Sequence, residues 1–116
     1  MGMIYHMLPR SVWADQRSDQ PYVGDTLATE GFIHCTGDAG LLTQVANHFY
    51  RAMPDAFVVL AIDEDTVQAP VKWEEADGHL FPHIYGVLNL DAVRAVRPLL
   101  RNAAGEFLPF SPDENV

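Results

Sequence analysis

Three histidines stand in apolar, strand-forming segments: His6 in MIYHM (3–7), His34 in TEGFIHC (29–35) and His83 in LFPHIYGVL (80–88). Side chains alternate across a strand, so His6 shares a face with Ile4, His34 with Phe32 and Thr36, and His83 with Tyr85 and Val87. A polar group on such a face must find a hydrogen-bond partner or line a cleft. A single case reads as a satisfied core histidine. Three cases in separate strands of 116 residues point to convergence on one cleft. Imidazole near neutral pH can donate, accept or titrate. Converged histidines could orient a polar ligand, act on it as acid or base, or bind a metal. No metal site is expected, because no segment has ligand spacing such as HExxH. His79 and His83 are four apart, but Pro82 between them opposes a helix.

Other polar residues offer less. Cys35 adjoins His34 and points to the opposite face, which predicts a buried structural thiol rather than a Cys–His nucleophile. Asn47 falls beside the apolar stripe of a helix, where it either reaches into a cleft or marks the solvent boundary. Glu74 follows Trp73 on a short strand; the reading is a solvated carboxylate, with acid–base work as the alternative. The chain has no Walker loop, no GxGxxG and no GxSxG elbow.

The elements that must position these groups read as follows. Residues 3–7 form a first strand, and Pro9 opens a short helix through Val12, Trp13 and Gln16. Residues 20–26 are a loop, and 29–35 a second strand. Leu41, Leu42, Val45, Ala46, Phe49, Tyr50 and Met53 then recur at helical spacing, predicting one long helix over about 38–53, capped by Thr36 or Asp38 and closed by Pro54. The run FVVLAI (57–62) predicts a strand buried on both faces. Shorter strands follow over 71–74, 80–88 and 92–96, and Gly105 marks a turn. One strand, helix, strand, helix, then mostly strands is an α+β order, with an antiparallel or mixed sheet. The domain is expected over 1–108, with 109–116 a loose tail.

The chain carries 7 Lys+Arg against 16 Asp+Glu, a formal charge of −9. Such a field repels a phosphate backbone, and Arg94, Arg97 and Arg101 are too few to rescue nucleic-acid binding. No apolar run approaches a bilayer span and no basic-then-apolar leader is present, so neither membrane nor secretion is expected. One cysteine gives no internal disulfide, which makes the cytoplasm the default. Oligomeric state is not legible.

Four blocks resemble a known family: Ile4-Tyr5-His6; Leu27-Ala28-Thr29-Glu30-Gly31-Phe32-Ile33-His34-Cys35-Thr36; Val45-Ala46-Asn47-His48-Phe49-Tyr50; and Leu80-Phe81-Pro82-His83-Ile84-Tyr85-Gly86. They resemble a bacterial domain of unknown function, number 952, over about residues 3–100. That family is similar in fold to the ADP-ribosyltransferases. The resemblance implies two small, roughly perpendicular sheets around a cleft that holds NAD in the transferases. It also implies that His6 helps hold a ribose and that His34 echoes the His-x-His strand of RNA 2′-phosphotransferases. Two departures stand out. Where many transferases carry a late-strand glutamate, this chain has His83 and Tyr85, and His6 is followed by Met7 rather than by Gly-Thr.

Residues and resemblance together predict an ADP-ribosyltransferase-like α+β domain, an enzyme or former enzyme taking a nucleotide-like or ADP-ribose-like small molecule. His34 and His83 are the expected acid–base groups, and His6, Thr36, Asn47 and Tyr85 the expected ligand contacts, with NAD as a candidate cofactor. A non-catalytic binding module and a His-ligated metal hydrolase are the rival readings.

Overall fold

The computed structural model describes residues 2–111. Strands β1 (Met3–Pro9), β3 (Phe57–Asp63) and β6 (Val93–Leu99) form one antiparallel sheet in the order β1-β3-β6. β3 lies in the middle and is buried on both faces over residues 57–62, as its unbroken apolar run predicts. Strands β2 (Ile33–His34), β4 (Val71–Ala76) and β5 (His79–Ile84) form a second antiparallel sheet in the order β2-β5-β4. The result is a small α+β fold of two three-stranded sheets with few helices.

The sheets are joined at the edge of β1. Tyr5 and Thr36 exchange both backbone hydrogen bonds, at 2.8 and 2.7 Å, so the chain leaving β2 runs onto β1. Each face of the first sheet has its own core. Ile4, Leu8, Val58, Leu60 and Ile62 meet Ile33, Cys35 and Ile84 from the second sheet. Tyr5, Met7, Val59 and Ala61 meet Leu42 and Ala46 of α3 (Ala39–Phe49), with Phe107 and Phe110. Each fully buried aliphatic side chain here contributes roughly 2 kcal/mol by leaving water.

Several boundaries differ from expectation. The long helix over 38–53 is not present: α3 stops at Phe49, with Tyr50 already off helical geometry and Met53 N closing a turn onto the Tyr50 carbonyl. Pro54 biases Met53 away from the helical region, so the chain must turn before β3 begins. Asp38, not Thr36, caps α3 by accepting from Leu41 N at 2.9 Å. The short helix after Pro9 is α1 (Arg10–Ala14), ending before Gln16. The start of the strand expected over 29–35 is instead the turn of α2 (Leu27–Glu30), ended by Gly31 in the left-handed region at φ 87°. Only Ile33 and His34 pair as strand.

The strand expected over 80–88 pairs from His79 to Ile84, and Leu88 returns to bridge Tyr22. β4 and β5 are joined by Asp77 and Gly78, both at positive φ, in a two-residue hairpin. Pro82 sits in the middle of β5, directly opposite Trp73, rather than near a strand start. Its carbonyl accepts from Cys35 N at 3.1 Å, so its proton-less nitrogen faces the side where β2 has ended. Of the expected loose tail, Phe110 is buried edge-on to Tyr5 and its N–H bonds the Thr43 hydroxyl. Residues 112–116 lie outside the described residues.

Candidate functional site

His34 and His83 are directly paired across β2 and β5. Their side chains emerge on the same face, and the rings meet edge-on with centroids 5.1 Å apart. Phe32, two residues before His34, stacks on His83 at 4.1 Å and also contacts His34 and Tyr85. It is the apolar plate that orients both imidazoles. Sequence alternation placed Phe32 on this face but gave no sign of its role.

Each imidazole has a carboxylate behind it. His83 Nδ1 lies 2.8 Å from Glu74 Oε1, and His34 Nε2 lies 3.1 Å from Glu30 Oε2. A carboxylate only accepts, so the proton sits on the nitrogen facing it. That leaves His83 Nε2 and His34 Nδ1 without a hydrogen-bond partner among the described residues. The Tyr85 hydroxyl donates to the same Glu74 oxygen at 2.6 Å. Hydrogen bonds from Tyr85 and His83 hold the Glu74 carboxyl below the usual carboxylate range, and the same bond pushes the Tyr85 phenol up. Glu74 is thus a partner of the expected site, not a merely solvated acid. The side chain of His83 is only 10% exposed, whereas that of His34 is 48% exposed.

The pair opens onto a cavity of about 790 Å³ between α3 and the second sheet. Its walls include Phe32, Leu41, Val45, Phe49 and Phe81, and Thr36 also lines it. His48 of α3 and His79 of β5 also line it, two histidines that were not among the expected site residues. The apolar stripe of α3 is wider than the core requires: Leu42 and Ala46 are buried, while Phe49 is 63% exposed. That excess apolar width was the sequence signal for the cavity.

The other expected residues do different work. His6 is 8% exposed and both its nitrogens are taken. Nδ1–H donates to the His34 carbonyl at 2.6 Å, and Nε2 accepts from the Tyr22 hydroxyl at 2.8 Å. Burial lowers its pKa, which favours the neutral form, and burial likewise pushes the Tyr22 phenol up. His6 is a fixed clamp beneath His34, and it also lines the cavity with both ring nitrogens already bonded. Asn47 is a clamp as well: its amide donates to the Phe107 carbonyl at 3.1 Å and accepts from Phe107 N at 2.7 Å, away from the cavity. Cys35 is buried on the face opposite His34, and burial raises its thiol pKa.

Two ligand types can be tested against this arrangement. No lysine or arginine lines the cavity, so a pyrophosphate would meet no cationic side chain other than a protonated imidazole, and His6 has no free nitrogen for a ribose. The transferase manner of holding NAD does not fit these residues. Among the described residues no three His, Cys, Asp or Glu side chains come together as a metal site requires. Among the described residues no helix is long and apolar enough to cross a membrane.

The fold has solved counterparts. The crystal structure of protein CC0527 from Caulobacter crescentus is similar with a TM-score of 0.79 and 26% identity, over 91% of this chain and 93% of that one. The solution NMR structure of the same protein gives 0.72 and 27%, over 90% of each chain. No curated protein matches. The family model described as "Protein of unknown function (DUF952)" matches residues 7–96, and by that match over most of its length the chain belongs to this family.

Proposed function

We propose that this domain binds a small molecule of nucleoside size in the cavity beside α3, and that His83 and His34 exchange protons with it. The supporting observation is the paired imidazoles, 5.1 Å apart, each backed by a carboxylate and each keeping one nitrogen free. Glu74 fixes the ring and tautomer of His83 and stabilises the imidazolium formed when Nε2 takes a proton. His34, more exposed and bonded to Glu30, returns a proton from the neighbouring position. Apolar and aromatic walls suit a flat ring, and Thr36 adds a polar edge. The ligand is nucleotide-like in its base and sugar, with any phosphate outside the cavity. An ADP-ribosyltransferase-like ancestry belongs to this reading; two small sheets joined on β1 beside an open cleft support it.

Histidine ring NMR spectra during titration with adenosine and with ADP-ribose test the proposal. His34 and His83 are expected to shift together and saturably while His6 stays fixed, with turnover assays to follow. If neither His34 nor His83 moves with either compound, the nucleoside reading fails.

A further inference from the structure

A second groove, of about 650 Å³, lies where β1 gives way to α1 and β3 begins, beside the end of β6. It shares no lining residue with the histidine cavity. The chain has only 7 Lys+Arg in all. Three of them, Arg10, Arg97 and Arg101, line this groove, and Asp55 is the one carboxylate among the lining residues.

The arginines elsewhere have acidic partners: Arg17 with Asp19, Arg51 with Glu106, and Arg94 with Asp63. Arg101 is committed to structure. It donates to the carbonyls of Arg51, Asp55 and Gly105 and lies 4.0 Å over the Phe107 ring. Arg10 and Arg97 differ from all of these, because neither side chain has a hydrogen bond or ion pair within the described residues. Arg97 Nε is, among those residues, the one buried side-chain nitrogen or oxygen without a partner. A buried donor left unmade is costly and calls for an acceptor. In so acidic a chain carboxylates are plentiful, yet neither arginine is paired with one, Asp55 of the same lining included. The rest of the lining is apolar, with Val96, Pro98 and Leu100 on the β6 side.

We infer that this groove binds a small organic oxyanion, a phosphate monoester or a carboxylate with an apolar body. Arg97 and Arg10 hold the charged head, since a guanidinium fork matches both oxyanions. Arg101 adds fixed positive charge, and the apolar lining of the groove carries the apolar part. The long-range field of the chain repels anions, so affinity arises from close contact. This site is independent of the proton-transfer reading.

Arginine Nε–Hε NMR of the full chain tests it, with inorganic phosphate, phenyl phosphate and benzoate as probes and sodium chloride at matched ionic strength as control. Arg97 and Arg10 are expected to shift saturably with phenyl phosphate or benzoate, roughly fivefold more tightly than with inorganic phosphate because the ring is buried. Arg17 and the rings of His34 and His83 should not follow. A response to phenyl phosphate alone identifies a phosphate head, and to benzoate alone a carboxylate head. Arg10→Gln, at an exposed position, should weaken binding roughly tenfold, and Arg97→Lys should do likewise. The inference is overturned by the absence of a saturable shift, by equal shifts with chloride or at Arg17, or by both variants binding as tightly as the wild type.

Discussion

His6 donates its Nδ1–H to the carbonyl of His34 across 2.6 Å, so a histidine buried under the first sheet sets the position of a histidine exposed on the second. The two share a residue type and have opposite roles. One is buried and locked by partners on both nitrogens; the other keeps a nitrogen without a partner among the described residues.

Replacing His6 should therefore cost stability before it costs chemistry. His6→Phe leaves the His34 carbonyl and the Tyr22 hydroxyl without their partner, at about 2–4 kcal/mol. Tyr22→Phe, which removes only the donor to Nε2, should cost about 1 kcal/mol. Urea denaturation midpoints measure both, and a His6→Phe protein as stable as wild type would contradict the clamp.

The same histidine sets a pH dependence. Its folded pKa lies below 6.5 because burial disfavours the charge. Between that depressed value and 6.5 the unfolded chain binds more protons than the folded one, so stability rises with pH there. The contribution is complete above 6.5 and is lost as pH falls toward the folded pKa. Denaturation at a series of pH values should show this slope in wild type and a flatter one in His6→Asn.

Glu74→Gln should release two groups at once. The Tyr85 phenol, held up by its bond to Glu74, should return toward 10 in an ultraviolet phenolate titration. Any turnover found for the domain should fall roughly 100-fold, because His83 loses the carboxylate that fixes its tautomer. An unchanged Tyr85 titration would place Glu74 elsewhere in solution.

Gly37 is required by Trp73. A Cβ built at Gly37 would lie 2.5 Å from the indole ring, whose Nε1–H is tied to Glu64 at 2.8 Å. Gly37→Ala should displace the indole and cost about 1–3 kcal/mol. Tryptophan fluorescence and the unfolding midpoint should both shift.

Asn47→Ala separates a clamp from a ligand contact. Loss of its two bonds to Phe107 should destabilise the fold by about 1–3 kcal/mol. Calorimetric affinity for any ligand of the histidine cavity should stay the same, whereas a residue that touched ligand would lower it.

Much of this was legible from local pattern. Strand alternation placed Phe32 and His34 on one face and Cys35 on the other, because that period is a property of the extended backbone. The unbroken apolar run of β3 told of burial on both faces. Two further local signals, Gly31 ending a helical turn and Asp77-Gly78 closing a hairpin, were present in the letters and went unread.

What the sequence by itself determined was the α+β character, the short apolar strands and the presence of polar groups that would need partners. Which partner each received was decided only by tertiary structure. His34 meets His83, His6 meets Tyr22, and Asn47 meets Phe107 through contacts between residues far apart in the chain. Cross-strand register and desolvation depend on everything packed around a side chain, and they made one histidine a clamp and two others a candidate site.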